Sequence, residues 1–321
     1  MKEYKSIDKF ISVNNTKIVG KGLVAANIVK LWNEGYTGKN INVAIIDGGI
    51  KRHNDFQNRI IKQLNLTGQA IEDNHGTHVA GIIGANGNFR GGAYECNIID
   101  IMVIGKNGGN IDNLIRGIYM ALDNGARVIN MSIGTDYLPA EPMNRLKNAM
   151  NDAWNRGCVC IAASGNQGNG VCSPDITEYP AGISTALSVG SCDIGPNIND
   201  IKISYFSNEN NEVDLLAAGT GILSTVNTND YEIFNGTSMA TPHVSALGAL
   251  FSQMLVEKYP TLNGSRFSSN LMSLLRQNAY KFAQLSCSFG LGFSRYLPND
   301  NVTIPEGDKF YVNGIFEGYK I

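Results

Sequence analysis

Three short segments put an acid, a base and a hydroxyl at the ends of candidate structural elements. Ala44-Ile45-Ile46-Asp47-Gly48-Gly49 is an apolar run closing on a carboxylate. Asn74-His75-Gly76-Thr77-His78-Val79-Ala80-Gly81 opens a helical pattern with a histidine. Asn235-Gly236-Thr237-Ser238-Met239-Ala240-Thr241-Pro242-His243-Val244 opens another with a serine. A serine hydroxyl is a weak nucleophile until a neighbouring base takes its proton. Histidine does so near neutral pH, and a buried carboxylate holds the imidazole in the useful tautomer and stabilises the imidazolium. A fourth segment, Ala163-Ser164-Gly165-Asn166-Gln167-Gly168, supplies a side-chain amide able to donate to an oxyanion. Helix N-termini add N–H groups and a positive dipole end where negative charge would develop.

Taken singly, each residue has a plainer reading. Asp47 reads as a turn-capping carboxylate, His75 as a helix cap, Ser238 as an ordinary N-cap and Asn166 as a turn residue. His75 and His78, at i and i+3, also suit a metal, but no further ligand pattern accompanies them. The case for a site rests on co-occurrence, each group lying at a strand end or a helix start.

The elements that must position these groups alternate along the chain. Strands are expected at Val43–Ile46, Ile98–Ile104 (interrupted by Asp100), Arg127–Ile133, Cys158–Ala163 and Leu187–Gly190. Helices are expected at His75–Gly84, Ile111–Asn124, Met143–Asn155 and Met239–Lys258, the last with Pro242 in its first turn. Apolar positions 111, 114, 115, 118, 119 and 122 recur with the helical period. Alternating strands and helices predict an α/β fold, three αβα layers with a mostly parallel central sheet covered on both faces. Such sheets bind ligands beyond the carboxyl ends of their strands, where the four segments lie.

Length predicts one large domain or two small ones, and composition agrees with a packed core. The 321 residues are 43% hydrophobic and 17% charged, with net charge −2, which excludes a disordered chain and offers no basic footprint for nucleic acid. Glycine, at 36 residues, implies many tight turns and close backbone approaches. The N-terminus lacks the apolar core of a secretory signal, and no run is long enough to span a membrane. The six cysteines, at 96, 158, 160, 172, 192 and 287, match no zinc or redox spacing. A cytosolic protein with reduced thiols is expected, an exported disulfide framework being the alternative. Cys158 and Cys160 would share one strand face as small hydrophobes.

HGTHVAG, NMSIG, SGNQG and GTSMATPHV together resemble the motifs of the subtilisin-like serine proteases, in that family's order, over about residues 20–295. The absent signal and the phrase NEVDLLAAGTGILST look most like the intracellular subtilisins. The resemblance implies serine endopeptidase activity, with Asp47, His75 and Ser238 as a triad, Asn166 as oxyanion donor and no cofactor needed for catalysis. It implies an N-terminal extension over 1–20, a catalytic domain over 21–297 and a C-terminal extension over 298–321, read as a hairpin. Residues 1–20 are either a removable inhibitory segment or a docked arm; the family's inhibitory stretch contains a proline, whereas the first here is Pro139. Gly48 stands where the family usually has Ser or Thr, so Asp47 must find other donors.

The resemblance also implies a peptide or protein substrate bound as an added strand between Gly108-Gly109 and Ser132-Ile133-Gly134. Ala163 and Ser164 are implied as further substrate contacts, and a pocket takes the side chain preceding the cut bond. Glu178 would lie at its base and favour Lys or Arg, the alternative being a solvated loop charge. Ile111 would line an apolar pocket further out. Asp55 aligns with a calcium ligand of the family, but the partner loop around Asn86-Gly87-Asn88 is shortened, so a structural calcium is left open. A homodimer is left open too, and no nucleic acid or membrane partner is expected. Two rival readings are a catalytically silent peptide-binding scaffold and a metal-dependent hydrolase built on His75 and His78.

Overall fold

The computed structural model describes residues 17–170, 176–195, 200–280 and 290–297, together with the backbone of 11–13. Its apolar runs pair side by side. Across the main sheet the order is 279–280, 293–294, 215–218, 186–194, 159–163, 128–131, 42–47, 97–102 and 60–65, with 201–203 attached beside 186–194. The neighbours are parallel, save for 279–280 on 293–294 and 201–203 on 186–194.

Because strand side chains alternate between faces, each run feeds two cores. Val43, Ile45, Val128, Val159 and Ile161 enter one; Ala44, Ile46, Ile129, Cys160 and Ala162 enter the other. The first core is closed by the helices His75–Gly84, Thr237–Lys258 and Gly264–Gln277, the second by Ile111–Asp123 and Ala140–Asn155. These are the three layers expected. Asp47 continues the Val43, Ile45 parity, which turns it to the face whose helices begin at His75 and Thr237.

Several elements differ from expectation, the Arg127–Ile133 strand among them, which is confined to Val128–Met131. Asp100 does not interrupt its strand, which runs Asn97–Met102; its Oδ2 accepts the Ile50 N–H and Gln63 Nε2, each at 3.1 Å, so a carboxylate is tolerated inside the sheet. Burial pushes that carboxyl up to about 6 against these two hydrogen bonds, the Asp47 charge adding to the rise. The 187–190 strand extends to Ala186–Ile194. The 143–155 helix begins at Ala140, with Pro142 inside its first turn, where a missing N–H is harmless. The last long helix begins at Thr237, not Met239, so Pro242 falls in its second turn. The strands at 60–65 and 215–218, the hairpin of 222–226 with 230–234 and the helix Gly264–Gln277 were not anticipated.

Cys96, Cys158, Cys160 and Cys192 are free and buried, and burial pushes the Cys96 and Cys160 thiols up to about 12. Cys158 and Cys160 face the same core, as their spacing required. Cys172 and Cys287 lie outside the described residues. Of the 1–20 extension, 17–19 pairs with 11–13 and, in parallel, with Phe89–Arg90. The 298–321 extension, with its hairpin reading, lies outside the described residues.

Candidate active site

Asp47 ends its strand almost wholly buried, at 1% exposure. Its Oδ1 accepts the His75 Nδ1–H at 2.8 Å and the Gly48 N–H at 2.7 Å. Its Oδ2 is buried with no partner among the described residues. A Cβ built at Gly48 would sit 3.6 Å from Asp73 Oδ1, and that same oxygen accepts the His75 backbone N–H at 2.9 Å. His75 is held at the first position of its helix, its side chain one-third exposed at 32%. Burial pushes the imidazole down, but the charge and hydrogen bond of Asp47, with a smaller contribution from Asp73, outweigh it and leave His75 above its ordinary value. With Nδ1–H committed to Asp47, Nε2 is the basic nitrogen.

Ser238 sits in the first turn of its helix. Pro242 has no N–H to give the Ser238 carbonyl four residues back, and Ser132 Oγ supplies the missing donor at 2.8 Å. In return Ser238 Oγ donates to the Ser132 carbonyl at 3.0 Å. The chain of hydrogen bonds continues through Asn130 Nδ2 to Ser132 Oγ at 3.0 Å and Ser245 Oγ to Asn130 Oδ1 at 2.8 Å. Ser132, expected as part of a substrate-flanking segment, thus also anchors the nucleophile candidate. Ser238 Oγ is thus bonded to the Ser132 carbonyl and not to His75 Nε2, so proton transfer to His75 requires the hydroxyl to turn towards it.

Asn166 joins this centre through Thr237, whose N–H and Oγ1–H donate to Asn166 Oδ1 at 2.9 and 3.0 Å. These two bonds orient the amide with its oxygen towards the Ser238 helix and keep its Nδ2 donors for another acceptor. The four residues picked out in sequence are therefore assembled at one end of the sheet.

The expected substrate residues divide. Gly109, Ile111, Ile133 and Gly134 line one cavity of about 450 Å³, with Leu114, Leu138 and Tyr179. Gly108, next to Gly109, lies on an exposed two-residue strand paired with Ile104–Gly105. Ala163 and Ser164 are buried at the end of their strand. Glu178 is half-buried between the two glycine segments: a Cβ at Gly134 would lie 2.0 Å from Glu178 Oε2, and one at Gly165 2.8 Å from its Cδ. Thr135 and Tyr179 exchange backbone hydrogen bonds at 3.0 and 2.8 Å, which fixes the Glu178 segment against Ser132–Gly134. Gln167 Nε2 donates to Glu178 Oε1. Gln167 lay within a motif, yet no spacing rule pointed to this role.

His78 is fully buried, its Nε2 3.0 Å from both the Ile222 and Glu232 carbonyls and its ring stacked on Phe234. Burial pushes it down to about 3. That pair of carbonyls fixes a structural tautomer and removes the His75–His78 metal reading; no cluster of three or more His, Cys, Asp or Glu suited to a metal occurs among the described residues. Asp55 faces hydrogen donors: Oδ1 accepts Asn88 N–H at 2.9 Å, and Oδ2 accepts Phe89 N–H at 2.8 Å and Tyr231 O–H at 2.7 Å. Lys17 Nζ donates to Asn86 Oδ1 and O at 2.8 and 3.2 Å. Calcium needs 6–8 oxygen ligands; a carboxylate ringed by N–H and O–H groups, beside a loop holding an ammonium, does not fit it.

The family model described as the subtilase family matches residues 38–293. The chain is 35% identical over 270 residues to the major intracellular serine protease of Bacillus subtilis (strain 168), covering 80% of this chain and 81% of the relative. It is 36% identical over 249 residues to an intracellular serine protease of Paenibacillus polymyxa, covering 74% and 73%. It is 34% identical over 253 residues to subtilisin DY of Bacillus licheniformis, covering 76% and 86%.

Proposed function

The chain belongs to the subtilase family, and on that premise we propose that it is a serine endopeptidase working through Asp47, His75, Ser238 and Asn166. Ser238 Oγ attacks the substrate carbonyl while His75 Nε2 takes its proton and later returns it to the leaving amine. Asp47 orients and charges the imidazole. Asn166 Nδ2 and the Ser238 N–H stabilise the oxyanion. The observation that carries this reading is the 2.8 Å Asp47–His75 bond at the same sheet end as a serine whose helix start is tied to Asn166. Lys or Arg before the cut bond is favoured by Glu178, whose carboxylate would form a charge-assisted bond in a partly desolvated pocket. The cavity lined by Ile111 takes an apolar side chain further along the substrate. Catalysis needs no cofactor. An intracellular setting belongs to this reading, supported by two relatives that are named intracellular serine proteases.

A fluorophosphonate probe tests the nucleophile: it is expected to label wild type at Ser238 and to leave Ser238→Ala unlabelled. Labelling of the Ala variant at another residue, or a folded wild type that takes no label, rejects the reading and favours the silent scaffold. Matched peptides ending in Arg, Leu or Phe test the pocket. Equal or faster cleavage after Leu or Phe removes the Glu178 assignment.

A further inference from the structure

We propose that Asn208 is a positioning residue that holds the Asn166 loop and the Glu178 segment in mutual register. The inference rests on the roles proposed above for Asn166 and Glu178. Asn208 follows the turn closed by Ser207 N–H on the Ser204 carbonyl at 2.9 Å and is fully buried. Among the described residues its side chain makes three hydrogen bonds, all to backbone. Oδ1 accepts the Gln167 N–H at 2.6 Å, and Nδ2 donates to the Ser164 carbonyl and to the Ile176 carbonyl, each at 3.0 Å. Its own N–H donates to the Gly165 carbonyl at 3.0 Å. The partners are one N–H and two carbonyls, so only one orientation of the amide satisfies them.

The placement of those partners carries the argument. Ser164, Gly165 and Gln167 flank Asn166 on both sides, so one side chain and one N–H fix the peptide planes around the oxyanion candidate. The Ile176 carbonyl lies two residues before Glu178. The same amide thus spans the two segments that would hold the developing charge and the substrate side chain. Gly165, at φ +108°, leaves no room for a side chain beside this amide: a Cβ there would lie 2.3 Å from Asn208 Nδ2. Gln167 extends the linkage, its backbone bonded to Asn208 and its side chain to Glu178. Asn208 makes no hydrogen bond to Asp47, His75 or Ser238, its side chain and N–H being bonded to backbone groups of Ser164, Gly165, Gln167 and Ile176.

The test uses Asn208→Ala, which removes all three side-chain bonds, and Asn208→Asp, which keeps the acceptor for Gln167 but turns the donor face against two carbonyls. Ser268→Ala, which removes a hydroxyl bonded to the Trp154 carbonyl at 2.8 Å, serves as a control away from the site. Turnover is measured per probe-titrated active site on full-length enzyme, with Arg- and Leu-ending peptides, beside Tm. Misplacing a reacting group by about 1 Å costs on the order of 100-fold. Both Asn208 variants are expected to lose at least about 10-fold in kcat per titrated site, and the Arg-to-Leu ratio should shrink several-fold. Ser268→Ala should change Tm alone. A folded Asn208 variant that takes no label supports the proposal. Per-site kcat within two-fold of wild type in either folded variant overturns it, whatever happens to Tm. Should the Ala variant not fold, the Asp variant carries the decision. If wild type shows no Arg preference, the Glu178 role fails by itself and per-site kcat still decides Asn208. Failure of the triad would show instead as wild type that takes no label.

Discussion

Asp47 and Asp55 stand eight residues apart, both buried, at 1% and 3% exposure, and they do different work. Asp47 directs one oxygen at an ionisable imidazole and leaves the other without a partner among the described residues. Asp55 has both oxygens taken by neutral donors, two backbone N–H groups and a tyrosine hydroxyl. Burial and residue type do not separate them; the partner does. A carboxylate facing a base changes that base's proton affinity, whereas one facing fixed N–H groups fastens a loop. The comparison shows why a motif letter assigns chemistry only together with its neighbour in space.

The largest expected effect would break the comparison outright if it failed. Asp47→Asn should lower kcat by about 10⁴-fold with a far smaller change in KM, because the amide can hold the wrong imidazole tautomer. Asp55→Asn should leave kcat per titrated site near wild type, yet cost about 2 kcal/mol through lost hydrogen bonds to a charged group. Thermal melts in a Ser238→Ala background, where self-digestion is silenced, would show that loss as a lower Tm. Equal kcat losses in the two variants would mean that the distinction drawn here is wrong.

Glu178 extends the comparison to a carboxylate whose second partner would come from the substrate. Glu178→Gln should cut the Arg-to-Leu ratio of kcat/KM by about 10-fold, the scale of one hydrogen bond to a charged group. An unchanged ratio would show that the charge faces solvent.

The pH profile sharpens the Asp47 side. His75 must be neutral to accept the Ser238 proton, so kcat/KM rises with pH through the imidazole's folded value. Because Asp47 and Asp73 raise that value above the ordinary 6.5, the acid limb should have its midpoint above that of a free histidine. Removing one negative charge in Asp73→Asn favours the neutral imidazole, and the midpoint should move down. A midpoint that stays put or moves up would remove Asp73 from the account.

The smallest expected effect belongs to the Asp55 side. A chelator should leave Tm and activity unchanged, since protein donors and the Lys17 ammonium occupy the places a calcium would need to serve. Lys17→Met should cost about 1 kcal/mol or less of stability for the lost part-buried bonds to Asn86, read as a modest fall in Tm. A marked fall in Tm on chelation would restore the calcium.

Much of the site was legible because its residues lie in local patterns. Asp47 closes a continuous apolar run in which its parity chooses its face, and His75 opens a helix whose bounds coincide with the expected His75–Gly84. Ser238 and Asn166 were found in short segments whose residue types carry their own chemistry. What escaped depends on contacts between distant stretches. Asn208 binds a loop about 40 residues upstream, Tyr231 reaches Asp55 across 176 residues, and Ser132 meets Ser238 across 106. Pro242 shows the boundary between the two: its missing N–H is a property of the residue, but that Ser132 Oγ would fill the gap is not.

The sequence by itself determined the layered fold, the four groups at the strand and helix ends, and the family, because periodicity and motif order are local and additive along the chain. Tertiary structure decided which carboxylate faces a base, which histidine is locked between carbonyls, and which asparagine bonds to Ser164, Gln167 and Ile176 together. Those outcomes depend on which polar groups burial forces together, since a buried donor or acceptor must find its partner wherever the fold provides one.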